Sequence, residues 1–249
     1  MTVYEYGSLS SPVVIFLHGG GLSWWNYRKE AELLKEDFHV VIPVLDGHAG
    51  SGRAFTSIAD NAAELIGFID ERFGSSVKAI CALSLGAQIL VEMLSQRGDM
   101  CEYAVIESAL VVPMPMTNKL IDSSVSMSYG LIKKPWFARL QFKSLGMDES
   151  FYDDYYRDSC LVSEEDMKAF LKANTSFSLD SRIKAASAKT LILAGSKEPP
   201  QMLRSAALLH EAVDGSELRI LNGYSHGELS LNHAEEYVSL LRNFIKQQR

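Results

Sequence analysis

Ser84 stands in Ala82-Leu83-Ser84-Leu85-Gly86, where an apolar run ends and a helix-like segment begins. A serine on a sharp strand-to-helix turn lifts its hydroxyl above a sheet, and the crowding of that turn asks for small residues two before and two after it. Gly86 meets the requirement; Ala82 meets it less fully, since glycine is usual there. The same position also suits a plain helix N-cap. For nucleophilic chemistry the hydroxyl needs a base to take its proton, and the base needs a carboxylate to orient it.

Among six histidines, His226 is the expected base. It lies in Asn222-Gly223-Tyr224-Ser225-His226-Gly227, a flexible loop between the last short strand and the final helix. His39 opens a strand, His210 lies in a helix, and His233 falls in a helix's first turn as a surface residue. His48, in the turn from Asp46 to Gly52, suits a structural hydrogen bond. Glu198, three residues past Gly195 at the end of a strand, is the expected acid, although aspartate is commoner there. Its rival is Glu107, inside the apolar run Val105-Ile106-Glu107-Ser108; a carboxylate there needs a partner whether or not it is catalytic. His18-Gly19-Gly20-Gly21 follows the first apolar run. Glycine lets backbone N–H groups turn inward, so those of Gly20 and Leu85 are the expected oxyanion donors, with His18 anchoring the loop. Neither Gly-x-x-x-x-Gly-Lys-Ser/Thr nor a strand followed by Gly-x-Gly-x-x-Gly occurs, which argues against a phosphate loop.

These residues need a scaffold that brings strand ends together. Val13–Leu17, Phe38–Leu45, Val77–Leu83 and Tyr103–Val112 read as strands buried on both faces, separated by helices over 28–36, 57–73 and 85–96. That alternation is the sequence form of a parallel sheet with crossover helices. It stops at Pro113. Up to Asp180 there are only amphipathic helical windows, with Pro135 at a helix start and Ser163 opening a capping box before Met167, Phe170 and Leu171. It then resumes with Thr190–Ala194, a helix over 201–212, Leu218–Leu221 and a last helix capped by Asn232 with Glu235.

The 249 residues carry a formal charge of −7 and 47% hydrophobic residues, enough for a sizeable core without a disulfide or metal staple. The acidic balance argues against a nucleic-acid partner. Residues 148–166 hold eight carboxylates against Arg157 alone, a local charge equal to that of the whole chain. Cys81, Cys101 and Cys160 show no paired or metal-ligand spacing, so no metal or other cofactor is expected. Unpaired cysteines and an N-terminus without a signal-peptide layout lead to a cytoplasmic expectation. The longest mostly apolar window, Ala79–Leu94, is broken by Ser84, Gly86, Gln88 and Glu92, so no membrane span is expected. Oligomeric state is not legible.

In their order, strand-His-Gly-Gly, strand-x-Ser-x-Gly-helix, strand-Gly-x-x-acid and loop-His-Gly, the motifs make the chain resemble an α/β-hydrolase of the serine-hydrolase, carboxylesterase-like type with a helical cap. The resemblance covers nearly the whole length. It implies an α/β fold with a mostly parallel central sheet and helices on both faces, a core of residues 1–112 and 181–249, and a cap of residues 113–180. Only about twelve residues precede the first buried strand, so the usual edge hairpin must be shortened, with Tyr4–Tyr6 as one of its strands. The implied activity is cleavage of a small, fairly apolar ester or thioester by Ser84, His226 and Glu198. Other chemistry of the fold remains open: carbon–carbon bond hydrolysis, acylglycerol cleavage, a haloperoxidase-like reaction, or a non-catalytic ligand receptor.

Trp24 and Trp25, close behind the oxyanion glycines, are expected to wall the pocket or to dock a helix. In the cap, Trp136 and its neighbouring aromatics are packing residues or a lid's apolar underside, and Met114, Met116, Met127 and Met147 suit an adaptable wall. An acidic cap would favour neutral or cationic substrates.

Overall fold

The β-branched runs of the sequence become the interior of one seven-stranded sheet. In the computed structural model, which describes residues 1–246, its strands are β1 (Val3–Tyr6), β2 (Val13–Leu17), β3 (His39–Pro43), β4 (Val77–Leu83), β5 (Cys101–Glu107), β6 (Lys189–Gly195) and β7 (Glu217–Leu221). They lie in the order β1-β3-β2-β4-β5-β6-β7. Every pairing is parallel except that of β1, which runs antiparallel to β3 with Tyr4 opposite Ile42. Val3–Tyr6 thus forms an edge strand on β3.

Parallel neighbours require crossover helices, and these cover both faces. Successive strand residues point to opposite sides. Ile15, Leu17 and Ile80 pack beneath α2 (Ile58–Phe73) and α3 (Leu85–Gln96), while Val14, Phe16 and Cys81 pack against α1 (Arg28–Leu34) on the other face. The strand order reverses at β2, whose neighbours are β3 and β4. At such a switch point the loops leaving the carboxyl ends of adjacent strands part and leave a crevice. The loops after β2 and β4, carrying His18–Gly21 and Ser84, border it.

Between β5 and β6 there is no strand. Four helices fill the segment: α4 (Pro115–Ile132), α5 (Pro135–Ser144), α6 (Tyr152–Ser159) and α7 (Glu164–Ser176). Pro115 and Pro135 both sit in a helix's first turn, where the missing N–H costs no hydrogen bond. The Ser163 hydroxyl accepts from the Asp166 N–H at the start of α7, as a capping box requires. Buried Gln88 of α3 ties the segment down: its amide donates to the carbonyls of Leu110 (2.6 Å) and Asn174 (2.9 Å) and accepts from the Asn174 side chain. After β6 follow α8 (Pro200–Ala212), then β7, α9 (Glu228–Asn232) and α10 (Ala234–Lys246).

A strand end and a helix cap differ from the sequence expectation. The strand expected to reach Val112 ends at Glu107, because Ser108 adopts a left-handed φ of 56° and turns the chain out of the sheet. Asn232 does not cap the last helix. Its side chain accepts from the Asp148 N–H and donates to the Gly146 carbonyl, fastening the inserted segment to the C-terminal region.

Candidate active site

The turn after β4 holds Ser84 at φ 53° and ψ −112°, a strained conformation for a residue with a side chain. The close approach of α3 to β2 imposes it. A Cβ on Gly86 would lie 2.6 Å from the His18 carbonyl oxygen and closer still to that of Leu17, so only glycine fits there. The hydroxyl of Ser84 meets Nε2 of His226 at 3.0 Å. Nδ1 of the same ring is 2.8 Å from Oε2 of Glu198. The three residues form one hydrogen-bonded line.

The glutamate is fixed on its other oxygen. Oε1 accepts from the Gly195 N–H (2.7 Å) and from the Ser108 hydroxyl (2.8 Å). Burial pushes the Glu198 pKa upward, but the hydrogen bond and charge of His226, with the bonds from Gly195 and Ser108, outweigh it and hold the group below the ordinary glutamate value. These bonds favour the carboxylate form of Glu198. The histidine loop, expected to be flexible, is pinned. The N–H of Ser225 donates to Glu228, that of Gly227 donates to the Ser108 hydroxyl (3.2 Å), and Gly195 leaves room for the Tyr224 and Ser225 carbonyls. Ser108 thus joins acid and histidine loop. It escaped the sequence reading because nothing local distinguishes it from any serine at a strand end.

The loop after β2 comes alongside. A Cβ on Gly20 would lie 3.5 Å from the Leu85 side chain. The N–H of Gly19 is taken by Asn26 and that of Gly21 by Nε2 of His48, whereas the N–H of Gly20 has no partner among the described residues. Two buried histidines set the loop. His18 donates from Nδ1 to the Gly19 carbonyl and accepts from the Leu45 N–H at Nε2. Burial, helped by the neighbouring His48, drives its pKa down to about 3, so it is a neutral strut. His48 bridges the Asp46 carbonyl and Gly21, as a structural reading of it implied.

A family model described as the alpha/beta hydrolase family matches residues 14–240. The chain belongs to that family. No curated protein matches it in sequence. Among solved structures it is similar to an esterase from Exiguobacterium antarcticum, with a TM-score of 0.82 and 18% identity over 98% of this chain and 94% of that one. A carboxylesterase structure from the thaumarchaeon Nitrososphaera gargenis gives 0.80 and 17%, covering 100% and 96%. A bromoperoxidase from Bacillus anthracis gives 0.80 and 19%, covering 98% and 94%. At such identities the likeness establishes the fold, and the neighbours' differing activities leave the substrate open.

In this alpha/beta hydrolase the space above Ser84 is a cavity of about 440 Å3. Gly20, Leu22, Leu83, Ser84 and His226 form its floor, and Ile132, Leu145, Met147, Tyr155, Met167, Phe170 and Leu171 its apolar roof. None of the three tryptophans lines it. Beyond Leu22 the chain enters a short 3-10 helix that turns both indoles away. Trp24 stacks on Tyr4 of the edge strand at 4.1 Å, and buried Trp25 donates from Nε1 to Asp158 at 2.8 Å. Trp136 is 64% exposed on the outside of α5. Of the four methionines considered, only Met147 reaches the wall, joined by Met167.

None of the eight carboxylates of residues 148–166 lines the cavity either. Several are used as fasteners. Asp154 pairs with Arg28 (2.9 Å), Asp148 with Lys29 (3.1 Å), and Asp166 accepts from the Phe55 N–H (2.7 Å). None of them therefore touches a substrate in the cavity above Ser84. Among the described residues, no cluster of three or more His, Cys, Asp or Glu is arranged to hold a metal ion.

Glu107 is not in the hydrogen-bonded line. It is buried beside α9, where Oε1 accepts from the Ser230 N–H at 3.3 Å and Oε2 has no partner among the described residues. Burial raises its pKa to about 7. Nearby Glu30, with neither oxygen partnered, is raised to about 8 by burial and by the charge of Glu107. Both carboxyls keep their protons in the folded protein at pH values where an unfolded glutamate, with a pKa of about 4.3, has lost its own. The folded state therefore binds more protons between about pH 4.3 and pH 8, and stability falls as pH rises through that window. Glu107 alone contributes on the order of 3 kcal/mol to this loss. The urea midpoint should drop from pH 5 to pH 8, and a Glu30→Gln/Glu107→Gln variant should flatten the drop. An unchanged pH slope in that variant would refute the assignment.

Proposed function

We propose that this alpha/beta hydrolase is a serine hydrolase that cleaves small, fairly apolar esters or thioesters through an acyl-enzyme. The observation that carries the reading is the hydrogen-bonded line Ser84–His226–Glu198 opening on an apolar cavity. His226 Nε2 takes the Ser84 proton as Oγ attacks the carbonyl carbon. The carbonyl oxygen becomes an oxyanion held by the N–H groups of Gly20 and Leu85. Collapse expels the alcohol or thiol, which leaves with the proton from His226. Water then loses a proton to His226, attacks the acyl carbon and releases the acid, restoring Ser84. Glu198 keeps Nδ1 protonated and Nε2 free throughout. Residues 113–180 act as the cap over this chemistry, their helices supplying most of the apolar roof.

A series of p-nitrophenyl esters tests the substrate class. Burying each added methylene against the roof is worth about 0.8 kcal/mol, so kcat/KM should rise roughly fourfold per carbon from acetate until the acyl chain outgrows the cavity. A flat profile would contradict an apolar acyl site. Failure to turn over any ester would favour the ligand-receptor reading.

A further inference from the structure

The outer face of the first two inserted helices carries apolar side chains that nothing among the described residues covers. Eight of the thirteen large apolar side chains exposed among the described residues lie within residues 113–180. Helix α4 packs inward through Ile121, Val125 and Ile132. Its opposite face presents Met116, Leu120, Met127 and Leu131, which fall within about 60° of one another at 100° per residue. Met127 is 83% exposed. Beyond the turn the stripe continues on α5 with Trp136 and Leu140, one helical turn apart and both more than 60% exposed. A helix that is apolar on two faces needs something for the second.

Charge and position indicate what that is. Lys119, Lys133, Lys134 and Lys143 are exposed around the stripe, and none is in an ion pair among the described residues. The other two charges of these helices are already matched, Asp122 by Lys172 and Arg139 by Glu149. A second copy docked by a two-fold axis would set these lysines against one another. The side chains also stand out as a ridge, which a yielding surface accommodates without a preformed groove. At the inner end, Leu145 is 43% exposed and also lines the cavity above Ser84, so apolar surface runs from the outer face into the cavity mouth.

We propose that α4 and α5 dock this protein on an anionic lipid bilayer. The apolar stripe enters the acyl boundary, the lysines face the headgroups, and lipophilic substrates pass to the cavity beside Leu145. Attachment is peripheral, since no helix among the described residues is long and apolar enough to cross a membrane. The excess of negative charge on the rest of the chain turns this face, rather than another, toward the bilayer.

Co-sedimentation with vesicles of phosphatidylcholine, pure or with one-third phosphatidylglycerol, tests the proposal and needs no turnover, so its outcome is separate from the ester-hydrolase reading. The wild type should bind the anionic vesicles and bind the neutral ones far less. At roughly fivefold per lysine, Lys133→Gln/Lys134→Gln should weaken partitioning about 25-fold. Leu120→Ser/Met127→Ser should weaken it at least about tenfold. Both variants should keep wild-type kcat/KM on a dissolved short-chain ester. Absence of vesicle binding would overturn the proposal, as would equal binding by wild type and variants. So would a lipid-free dimer in analytical ultracentrifugation that Leu120→Ser/Met127→Ser dissolves, which would assign the stripe to a second copy.

Discussion

Replacing Ser84 by alanine is expected to lower kcat on any ester substrate by roughly 10⁴-fold or more, with KM little changed. The size of the effect follows from the mechanism: without Oγ no acyl-enzyme forms, and only the Gly20 and Leu85 N–H groups and the cavity remain to assist direct attack by water. The substitution should leave the fold intact, because among the described residues the Ser84 side chain bonds to nothing except Nε2 of His226. Alanine occupies the same volume at the crowded turn. A kcat within tenfold of wild type would remove Ser84 from the reaction.

The second large effect separates the two carboxylates that the sequence left in competition. Glu198→Gln should cost roughly 10³- to 10⁴-fold in kcat, and the geometry gives the reason. Oε1 receives two donors, the Gly195 N–H and the Ser108 hydroxyl, so a glutamine must place its carbonyl oxygen there. Its NH2 group then faces Nδ1 of His226 and donates to it. The proton is forced to Nε2, the atom that must be free to accept from Ser84. The variant is sterically conservative, yet it inverts the tautomer. Glu107→Gln makes the opposite case. A group already neutral at pH 6 is replaced by a neutral one, and its only hydrogen bond among the described residues is from the Ser230 N–H, so kcat should stay within a few-fold. Equal losses in the two variants would mean that Glu107 shares the role of the acid.

The contrast shows what was legible in the sequence. The convergence of Ser84, His226, Glu198 and Gly20 was legible because each lies at a fixed offset from the end of an apolar run, and parallel topology carries all such ends to one edge of a sheet. Gly86 was legible for the same reason, as the small residue the turn asks for; the close approach of the histidine loop at Gly195 was not. The tryptophans were not. Trp25 finds its partner in Asp158, 133 residues away, and Trp24 finds Tyr4 on an edge strand whose pairing with β3 no local pattern announces. The acidic run looked like a charged lid because composition does not say which carboxylates turn toward Arg28, Lys29 and the Phe55 N–H. Ser108 needed its left-handed φ and both its hydrogen bonds to be seen before its place between acid and histidine loop emerged.

The proposed chemistry rests on one covalent bond, from Ser84 Oγ to an acyl group. A fluorophosphonate probe traps a nucleophile of this kind irreversibly, and intact-mass measurement followed by peptide mapping locates the adduct. The wild type should gain one phosphonyl group, on Ser84, and Ser84→Ala should gain none. An adduct of the same stoichiometry in the alanine variant, or one mapping to another residue in the wild type, would contradict the assignment of Ser84 as the nucleophile.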